Sequence, residues 1–167
     1  MNLCDHYITR DGITYRIKLF HDDHGGLPWE CWDGSGVIEK RAGRGNLRIG
    51  TSRYFYNFPA SVERAKRDGW GYEGMEKDSP KKRASKAALN DYKFLNEWGL
   101  GNWEFAVLEV TRLENSNGEL LNESEPVFLA GIEYWRDYDL NHEKNRHIID
   151  YMMPDLICEF PDMKLAA

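Results

Sequence analysis

The stretch Trp103 to Leu113 constrains the fold more than any other in the chain. Phe105 and Val107 point one way along it, and Ala106, Leu108 and Val110 point the other. A strand apolar on both faces belongs in the middle of a sheet, covered at least in part on each side. A second apolar run, Val127 to Trp135, follows after the polar loop begun by Asn115-Ser116-Asn117-Gly118, and the two runs predict a core hairpin.

The N-terminal part adds another hairpin over residues 6–21. Asp11-Gly12 is a tight-turn pair, and Ile13, Tyr15, Ile17 and Leu19 alternate with Thr14, Arg16, Lys18 and Phe20, so one face is buried. Residues 25–46 form an irregular, glycine-rich segment holding Pro28, Trp29 and Trp32. Short strands are predicted over Val37–Lys40, Leu47–Ile49 and Tyr54–Tyr56.

Pro59-Ala60-Ser61 opens a helix that Asp68-Gly69 stops. Ser79-Pro80 supplies an N-cap and an N1 proline for a second helix, running to about Trp98. Its apolar stripe is Ala84, Ala88, Tyr92, Leu95 and Trp98. A third helix is predicted from about Leu140 to Phe160, with Ile148, Met152, Leu156 and Ile157 on one face. Pro154 interrupts it, and Cys158 reads as a core residue. The expected fold is a single α+β domain over residues 1–167, an antiparallel or mixed sheet with about three helices packed on it.

Composition fits this reading. The 167 residues are 41% hydrophobic and 30% charged, within the range of one globular domain. No apolar run reaches the ~20 residues that span a bilayer, so no membrane association is expected. The N-terminus lacks the basic flank and apolar core of a secretory signal. Cys4, Cys31 and Cys158 are odd in number and widely spaced, which suits reduced thiols and a cytoplasmic location.

The net charge of −6 is unevenly spread: −3 over residues 1–35, +7 over 36–93 and −10 over 94–167. Such asymmetry along a chain points to an interaction surface. In the middle segment Lys40, Arg41, Arg44, Arg48 and Arg53 precede Tyr54, Phe55 and Tyr56, and Arg64, Lys66 and Arg67 follow. Cations with interleaved rings suit single-stranded nucleic acid or RNA. A pI near 5.4 argues against a dedicated nucleic-acid binder. The acidic half, with Glu104, Glu109, Glu133, Asp137 and Asp139 among its carboxylates, suits mimicry of nucleic acid.

Catalytic signatures are sparse. His21, Asp23 and His24 offer imidazole and carboxylate donors of the kind that hold zinc, manganese or iron, and they define the enzymatic alternative, a metal-dependent hydrolase or nuclease. They fall at a strand end beside two glycines, where the sequence sets no ligand geometry. There is no GxSxG elbow, and neither Gly34-Ser35-Gly36 nor Gly43-Arg44-Gly45 matches a phosphate-binding loop. No catalytic residue and no cofactor is assigned.

Leu27-Pro28-Trp29-Glu30, Asp33-Gly34-Ser35-Gly36, Arg53-Tyr54-Phe55-Tyr56-Asn57-Phe58 and Ala65-Lys66-Arg67-Asp68-Gly69-Trp70-Gly71 follow one another in an order that resembles small uncharacterised proteins of tailed phages and prophages. Their pattern is PWE-x-x-DGHG, an arginine-glycine segment, a RYYDF-like strand and an A-x-RDGWG helix end. The resemblance covers roughly residues 15–110, and Ser35 stands where that pattern has histidine. It implies a phage accessory protein made in a bacterial cytoplasm, and carries no activity with it.

Three readings follow. The first is a non-enzymatic accessory protein that binds a host protein or protein–nucleic acid complex, as an inhibitor of a bacterial defence system would, through Trp32, Arg41, Arg44, Arg48 and Arg53. The second is the hydrolase using His21, Asp23 and His24. The third is a single-stranded nucleic-acid or RNA binding module. Trp29 and Trp70 are expected to pin the glycine-rich segment instead of binding a partner.

Overall fold

The computed structural model describes residues 2–31, 34–71, 75–116, 119–158 and 160, without the side chains of 114–123. It is an α+β protein whose sheets are antiparallel throughout. Its strands divide between two sheets, and the chain forms two compact units: residues 1–25 with 103–167, and residues 26–102.

In the first unit, β1 (Asn2–Arg10) and β2 (Ile13–His21) pair across Asp11-Gly12. Both turn residues have positive φ, 51° and 78°, as a two-residue hairpin turn requires. β2 then pairs with β6 (Trp103–Ser116), whose other side takes β7 (Glu119–Glu123) and β8 (Val127–Trp135).

The register puts three buried stripes on one face. These are Tyr15, Ile17 and Leu19 on β2, Ala106, Leu108 and Val110 on β6, and Ile132 and Tyr134 on β8. Ile148, Ile149, Met153 and Leu156 cover them. Each such Leu or Ile contributes about 1.5–3 kcal/mol relative to an exposed position.

The central-strand reading of Trp103 to Leu113 holds. The polar run Asn115 to Glu123, expected as loop, contributes the end of β6 and all of β7. The terminal helix is also shorter than expected. A π-helical turn over Ile148–Met152 leads into α4 (Met153–Ile157), with Pro154 in its first turn. Residues 140–145 form turns and bends instead, built on buried Asn145. Cys158 is exposed, not a core residue: it caps a helix of five residues and points out of the stripe that Met153 and Leu156 bury.

The second unit has β3 (Ile38–Glu39), β5 (Phe55–Asn57) and β4 (Asn46–Arg48) side by side in that order. Ile38, Leu47 and Tyr56 share one face by register and pack with Leu95, Tyr92 and Phe58. α2 (Phe58–Arg67) is N-capped by Asn57, whose Oδ1 accepts from the Ala60 amide. α3 (Pro80–Gly99) is N-capped by Ser79.

Ser61 and Ala65 of α2 and Ala84, Ala87 and Ala88 of α3 are all buried, small residues that let the two helices approach closely. Within the segment expected to be irregular, Pro28–Cys31 forms a one-turn helix, α1. It seats the Trp29 ring edge-on against Tyr54 (4.8 Å between centroids) and Trp98 (5.4 Å). Trp29 therefore anchors its segment as expected, while Trp70 lies 6.0 Å from the Arg64 guanidinium.

Candidate functional site

The cations of the second unit sort themselves by geometry. Arg48 donates through Nε to the Ser52 carbonyl (3.1 Å) and through Nη2 to the Thr51 carbonyl (3.4 Å), holding the β4–β5 turn. Arg53 lies 5.3 Å over the Tyr54 ring and donates to its hydroxyl. Both arginines are engaged locally.

Lys40, Arg41 and Arg44 differ. They lie in the loop between β3 and β4, where residues 40–45 are all exposed. Among the described residues none of the three side chains has an ion-pair partner.

The base of that loop is built from hydrogen bonds. Glu39 accepts from Asn57 Nδ2 and Asn46 Nδ2, both at 2.7 Å, and these bonds hold its carboxyl below the ordinary range. Asn46 Nδ2 also reaches the Arg41 carbonyl (3.3 Å), and the Asn46 amide donates to the Gly43 carbonyl (3.1 Å). Gly45, at φ 81°, turns the chain against Pro59, where a Cβ would come within 2.9 Å of the ring.

Three cations within six residues are thus displayed from a braced support, which lowers the ordering cost of binding. Phe55, on the same sheet face as Glu39 and Arg48 by register, is half-buried. Tyr54 and Tyr56 are buried, so they are not available for stacking on bases. Trp32 lies outside the described residues.

In the first unit the three buried stripes end in polar groups. His21 continues the β2 stripe, Glu104 begins that of β6, and Arg136 follows that of β8. Arg136 donates twice to Glu104, and His21 Nδ1 lies 2.5 Å from Glu104 Oε2. The Glu104 side chain is only 7% exposed. Burial pushes its carboxyl up, and the Arg136 hydrogen bonds and charge, with help from His21, outweigh that and hold it below its ordinary value.

His21 Nε2 is left facing Asp23 Oδ1 at 3.6 Å, too far for a hydrogen bond. The structure brings His21 and Asp23 together but does not add His24. Among the described residues no three His, Cys, Asp or Glu side chains are placed to hold one metal ion.

Asp22 braces this turn. Its amide donates to the Phe105 carbonyl, and its carboxylate accepts from the amides of His24 and Gly131. Arg136 was not singled out in the sequence, and Glu104 was counted only among the carboxylates of an acidic surface, whereas it is buried; its charge two residues before Ala106 on the buried parity of a strand was the available signal. No protein-family model, no curated protein and no solved structure matches this chain.

Proposed function

We propose that the chain is a binding protein, an accessory factor of a tailed phage or prophage. On this reading it acts in the bacterial cytoplasm by gripping an acidic surface on a host protein, a component of a defence system being the kind of target. The observation that carries the reading is the loop 40–45, with Lys40, Arg41 and Arg44 exposed and unpaired above the Glu39–Asn46–Asn57 clamp.

The second unit carries fourteen Lys and Arg against ten Asp and Glu, and the rest of the chain eight against eighteen. A chain with that much acid elsewhere is repelled by a long polyanion, while a local acidic patch on a protein meets only the loop. The burial of Tyr54 and Tyr56 also weighs against single-stranded nucleic acid, which needs rings to stack on.

The test is affinity purification from host cells with the native chain and with the Arg41→Glu/Arg44→Glu double variant. The native chain is expected to enrich a specific protein that the charge-reversed chain loses, while both unfold at the same temperature. Equal enrichment by both chains overturns the assignment. Retention of a labelled oligonucleotide, lost in the variant and falling steeply with salt, would replace the protein partner with nucleic acid.

A second reading, a hydrolase acting at His21 and Asp23, is favoured by one observation. A buried carboxylate on Nδ1 fixes the ring and leaves Nε2 outward, as a metal-bound or general-base histidine requires. Elemental analysis of the purified chain and of His21→Ala tests it. Stoichiometric metal in the first and none in the second would support the hydrolase.

A further inference from the structure

The edges of the five-stranded sheet differ in a way that the cationic loop does not explain. β1 carries Asp5, His6 and Arg10 along its length, side chains of the kind that keep an open edge from pairing with other chains. β8 has no charged side chain over its first half, and its irregularity is confined to Pro126 before it and a register shift at Gly131. From Pro126 to Ile132 there is no formal charge. Phe128 is 56% and Leu129 37% exposed, and Ala130 and Gly131 are exposed as well. Among the described residues β8 pairs with β6 alone.

The second half of the same strand is closed from within. Asn145 accepts from the Trp135 amide and donates to the Trp135 carbonyl, both at 2.9 Å, as a neighbouring strand's peptide group would. The chain satisfies its edge at Trp135 and ties the Gly131 amide to Asp22, and among the described residues it gives Val127 to Ala130 no second strand partner.

We propose that the open edge of β8 over Val127–Ala130 is a strand-addition site for an extended partner segment with apolar alternate side chains and basic ends. The apolar requirement comes from Phe128, Leu129 and Ala130. The basic ends follow from charge: exposed Glu125 precedes the open stretch, and Asp22, bonded to the Gly131 amide and followed by exposed Asp23, marks its far end. A second copy of the chain is disfavoured by the same charges, because edge-to-edge pairing sets two units of net −10 side by side.

The experiment is a titration of the isotope-labelled chain with a blocked peptide of about seven residues, valine alternating with threonine between terminal lysines, long enough for one strand. Saturable shifts are expected at the amides of residues 127–130, with exchange slowed roughly tenfold or more at those that point away from β6. A peptide with glutamate ends, or one N-methylated on alternate residues, should lose the effect. Phe128→Lys and Ala130→Lys, both at exposed positions, should abolish it without changing the melting temperature. Absence of shifts with the lysine-ended peptide, or equal shifts with the glutamate-ended one, overturns the proposal. Shifts of the same amides on concentrating the chain without peptide would make a second copy the occupant, and overturn it too.

Discussion

Arg136 and Glu104 meet through two parallel hydrogen bonds, Nε to Oε1 at 2.7 Å and Nη2 to Oε2 at 2.6 Å. The carboxylate they hold stands where three apolar stripes of the sheet run out. A buried carboxylate with a bidentate arginine is well satisfied, and one deprived of it is not. Arg136→Ala should therefore destabilise the chain by about 1–3 kcal/mol, the smaller end reflecting a guanidinium that is half exposed. Urea unfolding at neutral pH measures this.

The same pair makes stability depend on pH. The folded-state pKa of Glu104 is lowered from its ordinary value of 4.5. Its contribution is thus complete above the unfolded value and is lost as pH falls through the folded one. The stability difference between the native chain and Glu104→Gln should shrink progressively as pH falls below the ordinary value of 4.5, read by urea unfolding from neutral pH downward. A difference that stayed constant would show that Glu104 carries no such linkage.

Asn145 is fully buried and saturated. Besides its two bonds to Trp135, its Nδ2 donates to the Tyr138 carbonyl at 2.7 Å. Asn145→Leu keeps the volume and leaves these backbone groups without their partner. The expected cost is about 3–5 kcal/mol, well beyond a surface substitution. Faster amide exchange at Trp135 should accompany it, and unchanged exchange there would mean that the edge is held by something else.

These residues show where the sequence was readable and where it was not. The β1–β2 hairpin, β6, β8, α2 and α3 were legible because their signals are local: Asp11-Gly12, period-two alternation, Ser79-Pro80. The terminal helix was misread because Ile148, Met152, Leu156 and Ile157 keep helical spacing whether or not residues 140–145 are helical. What delays the start of the helix is Asn145, a polar residue with no local signature, bonded to a strand ten residues away. The His21–Glu104–Arg136 cluster was hidden for a related reason. Its members are far apart in sequence, and only the sheet register brings them together. Arg41 and Arg44 were legible as candidates, but nothing local separated them from Arg48 and Arg53, whose backbone and ring partners appear only in the fold.

Asn57 serves two elements at once. Its Oδ1 caps α2 at the Ala60 amide (3.1 Å), and its Nδ2 donates to Glu39 beneath the cationic loop. Asn57→Ala should cost about 1–2 kcal/mol as a lost N-cap. Asn57→Asp keeps the cap and sets a carboxylate against Glu39, so it should restore much of the stability while loosening the loop. Thermal melts report the first effect, and amide exchange at Arg41 to Asn46 reports the second. Equal loop exchange in both variants and the native chain would show that the clamp does not brace the loop.

Gly50 and Gly69 both have positive φ, 50° and 70°, yet their surroundings differ. A Cβ on Gly69 meets nothing within 4 Å, so Gly69→Ala should cost only the strain of the left-handed conformation, about 1–2 kcal/mol. A Cβ on Gly50 would fall 2.1 Å from the Gly99 carbonyl carbon and 2.5 Å from the Leu100 amide nitrogen. These are backbone atoms that cannot rotate away. They are also fixed from the other side: the Gly99 carbonyl accepts from the Thr51 amide and hydroxyl, and the Gly50 amide donates to Asn96 Oδ1. The β4–β5 turn is thus the cap on the C-terminal end of α3, and Gly50 is the point of closest approach. Gly50→Ala must push the turn off the helix and release these bonds together, at a cost of about 3 kcal/mol or more. Urea unfolding of the two alanine variants side by side decides the matter, since strain alone would destabilise both by the same amount.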